Sequence, residues 1–286
     1  MLNVHVGQGT TRGALTVFPL WKEGAGFARH TLATDHLEIA ETEGSPRVDT
    51  LVVGNPGDRP TLILEGQLFE GGWQHRMATR PVVVGVHQTL EIDVACVEQG
   101  RWTGATEQNS RGRRVTPWIR ESVRSGGNVQ QEVWDRVAQR TAGTDNPTRS
   151  FVRRLDSEHG SDWSDLRPLQ GQTGILVGLA GQPLMAEMFA TSTDLRQQMP
   201  SILDAVSIDA AALQDSGALL QSTPERRAVR FVHRFTQVQR SGLRQAGVGV
   251  EESGRSQYLD ASVVRLQNTP VHVRMSNVRH PLLAGV

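Results

Sequence analysis

"LEGQLFEGGWQHRM", residues 64–77, opens as the end of a buried strand and then changes character. Leu62-Ile63-Leu64 runs into Glu65, and a glycine pair, Gly71-Gly72, leads into Trp73-Gln74-His75-Arg76. An acid, three glycines and a polar run stand where a plain turn would serve. Glycine lets a backbone approach a neighbour or a ligand closely. Working outward, residues 49–54 form a strand that stops at the turn Asn55-Pro56-Gly57-Asp58. Residues 61–65 are expected to return from it as a hairpin, and 81–85 and 91–98 follow as two more strands. In the last, Ile92, Val94 and Cys96 lie on one face and Asp93, Ala95 and Val97 on the other.

Further out the period changes. Asn128, with Gln131 three residues on, is a capping pair, and Val129, Val133 and Val137 recur every four residues. A helix is therefore expected there. Strand signals return at 173–180, and Gly181-Gln182 turns the chain into 183–190 as a β-hairpin. A helix follows from Ser192 to Leu213, expected to end or kink at Pro200. Another begins at Thr223-Pro224, with Ala228, Val232, Phe235 and Val238 as its buried stripe. Strands close the chain at 258–266 and 271–275. Blocks of strand and helix, rather than strict alternation, predict an α+β fold. The pattern is an N-terminal antiparallel β-rich layer, central and C-terminal helices packed on it, and further C-terminal β-hairpins. Residues 1–286 read as a single domain, with 111–128 as the candidate subdivision.

Composition narrows the function. The net charge of +0 supplies no overall field toward nucleic acid or an anionic membrane, so neither is an expected partner. No apolar run approaches the roughly 20 residues of a membrane span, and residues 1–13 lack the pattern of a signal peptide. A cytoplasmic location is expected. Cys96 is the only cysteine, which excludes an internal disulfide and a thiolate metal cage. Its apolar face predicts a buried, inert thiol. Lys22 is the only lysine among the 30 basic residues, a usage that codon bias explains. No G-x-x-x-x-G-K-[ST] occurs, so bound phosphate would depend on arginine, backbone N–H groups or a metal. Gly7 to Gly13 resembles a dinucleotide loop, but its last glycine is one position late and a β-rich stretch follows. The acidic run of Asp156, Glu158, His159, Asp162 and Asp165 reads as solvated rather than as a cation site.

If 61–65, 81–85 and 91–98 form a meander, the first and third strands end on one edge of the sheet. That edge then carries Glu65, Gly71, Gly72, Trp73, Gln74, His75 and Arg76 beside Glu98, Arg101 and Trp102. Arginine offers a planar fork for phosphate, and tryptophan offers a flat face for a base. The bland alternative is that Arg76 neutralises a half-buried acid and the glycines form a bulge.

Two stretches carry a family resemblance. "LEGQLFEGGWQHR" and "VACVEQGRW" resemble the signatures of the ARG-and-rhodanese-phosphatase-superfamily-associated protein domain family, where ARG denotes ADP-ribosylglycohydrolase. Gly66, Gly71, Gln74 and Arg76 match the first stretch, and residues 96–102 match the second. Residues 171–189 resemble a third stretch, and Val133-Trp134 fits the helix between. The family pattern has an acidic pair after its first glycine, where this chain has Gln67 and Leu68. The resemblance implies company with ADP-ribose chemistry, which is association and not mechanism.

Three functions are therefore in play. The first is a binding or regulatory module for an ADP-ribose-like or NAD-derived phosphorylated metabolite. There Arg76 and Arg101 would hold phosphate, Trp102 or Trp73 would stack, Gln74 would hydrogen-bond, and Gly71 and Gly72 would admit the ligand. The second is a hydrolase of such a nucleotide, with Glu98 or Glu65 as general base and His75 as acid or metal ligand. The third is a non-catalytic protein-interaction domain. The residues leave the cofactor, the reaction and the oligomeric state unspecified.

Overall fold

The computed structural model describes residues 3–24, 29–42, 47–157, 163–215 and 221–284. The protein is α+β, and its chain divides into two compact units. The first comprises Met1–Ala28, Asp162–Pro200 and Ala210–Val286; the second comprises Arg29–Ser161 and Ser201–Asp209. Residues 111–128 lie inside the second unit and carry the short helix Pro117–Arg120. No helix among the described residues is long and apolar enough to cross a membrane.

The first unit is an antiparallel sheet of nine strands. Its path runs Val4–Val6, Leu15–Lys22, Gly174–Leu179, Gln182–Phe189, Thr269–Asn277, Leu259–Leu266, Gly249–Arg255, Gly242–Ala246, with Thr10–Arg12 paired to Leu15–Lys22. The expected hairpin is present: Gly174–Leu179 turns into Gln182–Phe189 through Ala180 and Gly181, both at positive φ. Gly13, also at positive φ, turns Thr10–Arg12 into Leu15–Lys22, so the Gly7–Gly13 segment is a β-hairpin and not a nucleotide loop. Helix Glu225–Phe235 lays Ala228, Phe231, Val232 and Phe235 into a core with Phe18, Leu176, Met188, Val263 and Val273. Its N-cap is Pro224 rather than Thr223, whose N–H donates instead to Thr16 Oγ1. Helix Ser192–Asp215 runs through Pro200 without ending. Pro200 and Arg196 are both exposed, so water can take the Arg196 carbonyl that the proline leaves without an N–H.

The second unit is built on a closed six-stranded antiparallel barrel. Around it run Thr89–Cys96, Thr50–Gly54, Glu38–Ala40, Glu107–Asn109, Leu68–Gly71 and Arg76–Ala78. Two expected pairings are corrected here. Thr50–Gly54 pairs with Thr89–Cys96 and Glu38–Ala40, not with 61–65. Thr61–Ile63 pairs with Val82–Val84 as a separate two-stranded sheet, with a single parallel bridge from Thr61 to Thr31, so the three-strand meander does not form. The Asn55 side chain explains the first change. It donates to the carbonyls of Arg59, Val84 and Gly85 and accepts from Gly57 N–H. The turn is thus anchored to a distant segment, and Thr50–Gly54 keeps both edges for the barrel.

Alternation decides what each barrel strand buries. Ile92 and Val94 pack with Ile39, Leu51, Val53, Phe69 and Ala78 in one core. Ala95 and Val97 pack with Leu68, Met77 and Phe151 in a second. Helix Val129–Thr141 supplies Val133 and Val137 to that second core, and Asn128 caps it by accepting from Gln131 N–H. Burying both faces of the Leu68–Gly71/Arg76–Ala78 hairpin makes its connecting loop the place where polar groups collect.

Candidate functional site

Directly paired residues on antiparallel strands share a face. Phe69 pairs with Arg76 and Arg76 with Cys96, while Ile39 pairs with Gln108. Phe69 and Ile39 belong to the barrel core, so Arg76, Cys96 and Gln108 point to that same side, joined by Glu41 and Gln74 two residues along. These five form a polar plug. Arg76 is fully buried, and its Nη2 lies 3.4 Å from both Glu41 carboxylate oxygens. Its Nη1 donates to Gln74 Oε1 at 3.0 Å and to Cys96 Sγ. Gln108 Nε2 donates to Glu41 Oε1 and to the Gln74 carbonyl. Gln74 Nε2, Arg76 Nε and Gln108 Oε1 are buried and have no protein partner. Despite the adjacent guanidinium, burial pushes the Cys96 thiol up to about 12, and the thiol is buried as expected.

The loop after Gly71 is braced from outside the plug. Gly71 and Gly72 have positive φ, and a Cβ on Gly72 would collide with the Gln108 amide, so the second glycine is required by space as well as by backbone angle. Arg101 closes over this loop. Its Nε donates to Glu98 Oε2 at 2.9 Å, its Nη1 to the carbonyls of Gly72 and Thr103, and its Nη2 to the Gly71 carbonyl and Glu98. All five donor directions of the guanidinium are in use. Glu98 also accepts from His75 N–H. Burial works to raise the Glu98 pKa, but hydrogen bonds from Arg101 and Thr148, with His75 alongside, bring it below the ordinary carboxylate value.

His75 faces the other way from Arg76. Its Nδ1 accepts from Gly71 N–H at 2.9 Å, which places any proton of the neutral ring on Nε2, 3.7 Å from Glu98 Oε2. Burial holds its pKa below 6.5, with Glu98 pulling up and Arg101 pulling down. The ring lines an open cleft of about 510 Å³ together with Asp35, Glu70, Gly71, Ser110, Arg111 and Asp156, among others. Glu70 is held there by two arginines. Arg113 donates to it through Nε and Nη2 and reaches Asp156 through Nη1, and Arg111 donates through Nε and Nη2. Arg111 remains 61% exposed.

The structure thus brings Gly71, Gly72, Gln74, His75, Arg76, Glu98 and Arg101 to one end of the barrel, although by a hairpin and its neighbour rather than by a meander. Glu65 is taken up elsewhere, accepting from Arg124 Nη2 at 2.7 and 2.8 Å with Arg120 Nε 3.7 Å away. Trp102 is 46% exposed. Gln67 and Leu68 are structural: Gln67 Nε2 donates to Thr34 and Ser110 in a buried network, and Leu68 belongs to the core. Glu158, His159 and Asp162 lie outside the described residues. No cluster of three or more metal-ligating side chains occurs among the described residues. Glu41, Glu70, Gln108, Arg111 and Arg113 escape sequence reading. Period-2 alternation through "LFEGGWQHR" was the available signal, because it separates Phe69 and Arg76 from Glu70 and His75.

Fold and site together define an α+β protein carrying a closed antiparallel barrel with a polar plug and a cleft beside it in the same unit. The chain belongs to the ARG and Rhodanese-Phosphatase-superfamily-associated Protein domain family, whose profile matches residues 3–276. No curated protein and no solved structure matches it.

Proposed function

We propose that the barrel unit is a binding module for a small phosphorylated metabolite of ADP-ribose type, held in the cleft beside His75. The cleft itself carries the reading. Its volume of about 510 Å³ lies in the range of small-ligand sites, and its walls offer groups of several kinds. Asn109 and neutral His75 can exchange hydrogen bonds with hydroxyl groups, and the Gly71 backbone permits close approach. Arg111, mostly exposed, is the cation left to meet a phosphate. The ADP-ribose part of the reading rests on the company that the family's name records. Arg76 and Arg101, the arginines first expected to hold phosphate, act in this reading through the loop they brace.

A hydrolase with Glu98 or Glu65 as base is less well supported. A general base near neutral pH needs a raised carboxylate pKa, and Glu98 is brought down instead. Glu65 is occupied by Arg124. The closed Arg76–Glu41 and Arg101–Glu98 pairs favour the third reading, a non-catalytic interaction domain, for those four residues alone.

Titration calorimetry with ADP-ribose and NAD tests the proposal. Saturable binding is expected, weakened tenfold or more by Arg111→Ala, since a charge-assisted hydrogen bond contributes about 1.5–3 kcal/mol. Absence of heat with either nucleotide, in protein shown to be folded, removes the reading.

A further inference from the structure

The nine-stranded sheet carries a second cavity, in the other unit. Helix Glu225–Phe235 covers one face of the sheet and stops short. Beyond its last residue a pocket of about 470 Å³ opens, lined by Phe235, Thr236, Val263, Pro270 and Val273 with Arg240 and Arg265. Strand register explains why these residues meet. Val263 pairs with Val273 and with Glu252, and Arg265 pairs with Pro270 after a register shift between Val264 and Arg265. All five therefore stand on one face, with the apolar residues toward the helix and the charged ones at the rim.

The charges at that rim do not cancel. Glu252 is shared by two arginines: Arg265 Nε donates to its Oε1 at 2.7 Å, and Arg240 Nε lies 3.7 Å from its Oε2. Arg265 Nη1 donates to the Asn268 carbonyl, and the Arg240 guanidinium lies 5.0 Å from the centre of the Phe235 ring. The Nη groups of Arg240 and Nη2 of Arg265 have no protein acceptor among the described residues. One carboxylate against two guanidinium groups leaves a formal positive charge beside an apolar floor. The helix ends here with its negative pole, but its last carbonyls are satisfied locally: Thr236 N–H serves His233 and Arg234, and Val238 N–H serves Phe235.

We propose that this pocket binds a small amphipathic anion, with an apolar body on Phe235, Val263, Pro270 and Val273 and a single carboxylate between Arg240 and Arg265. The Nη groups that Arg240 and Arg265 leave uncommitted beside Glu252 suit a second carboxylate, and the volume suits a medium-length alkyl or aromatic body.

Decanoate binding, followed by calorimetry and by displacement of 8-anilinonaphthalene-1-sulfonate fluorescence from the full chain, tests this. Decanoate is expected to bind saturably and at least tenfold more tightly than decylamine. The Arg240→Gln/Arg265→Gln double variant should weaken it at least tenfold, and Thr236→Trp, which fills the pocket from its exposed rim, should abolish it. Thermal melting checks that each variant is folded; if Thr236→Trp is not, the arginine pair decides. No saturable binding, or binding that survives the arginine substitutions unchanged, overturns the proposal. Either result leaves the cleft in the barrel unit untouched, because the two sites share no residue.

Discussion

Arg76 is the residue on which the barrel end depends. Its guanidinium and the Glu41 carboxylate are each about 1% exposed, so neither charge has water to fall back on. Removing one partner strands the other, which costs about 3–5 kcal/mol, while replacing both is much milder. Arg76→Met should therefore lower the urea midpoint sharply, and adding Glu41→Gln should recover most of the loss. A single and a double variant of equal stability would mean that the pair is not the buried ion pair described. His75 sets a pH dependence in the same neighbourhood. Burial holds both His75 and His280 below their ordinary 6.5 in the fold. As pH falls the unfolded chain takes up protons first, so stability declines from 6.5 downward and levels off below the folded values. His75→Asn keeps an acceptor for Gly71 N–H and removes the titrating group. Its unfolding free energy should fall less than that of the wild type between about pH 7.5 and about pH 5. Parallel pH profiles would show that His75 is not held neutral.

At the scale of elements, the hairpin Leu68–Gly71/Arg76–Ala78 and helix Val129–Thr141 follow different rules. The helix is local: one cap, one apolar stripe, one polar face. Asn128 is exposed, and among the described residues its side chain accepts only from Gln131 N–H, so Asn128→Ala should cost about 1 kcal/mol and leave the barrel intact. A loss much greater than that, read from denaturant unfolding, would mean that Asn128 does more than cap. The hairpin is not local in this sense. Both of its faces are covered and its loop is fixed by Glu107, Arg101 and Glu98, residues far along the chain. This difference explains which elements are legible. The Asn128 cap, the hairpin within 173–190, whose turn lies one residue earlier than the expected Gly181-Gln182, and the stripe on Glu225–Phe235 can all be read from neighbours in sequence. The partners of Thr50–Gly54 cannot, because alternation says which face is buried but not which strand lies alongside.

For the molecule as a whole, the second unit is closed by a segment from far downstream. Asp209 is fully buried; it accepts from Arg140 Nε at 2.9 Å and from Trp118 N–H at 3.0 Å. Burial pushes its pKa up against the pull of Arg140. Asp209→Ala leaves Arg140, itself 9% exposed, with its charge uncompensated, and should cost about 3–5 kcal/mol. Limited proteolysis should then cut within 29–161 at conditions where the wild type resists. Unchanged protection would show that 201–209 is not needed to close the unit.

Sequence alone determined the class of the fold, because periodicity, capping and turn chemistry act between residues a few positions apart, and family resemblance marked the two stretches that matter. Tertiary structure decided that the strands close into a barrel, that Arg76 and Arg101 turn inward as braces, and that the open cleft belongs to His75, Glu70 and Arg111. Those outcomes depend on contacts between residues far apart in sequence: Glu41 stands 35 residues from Arg76, and the Gly71 and Gly72 carbonyls stand 30 and 29 from Arg101, with no local pattern linking them.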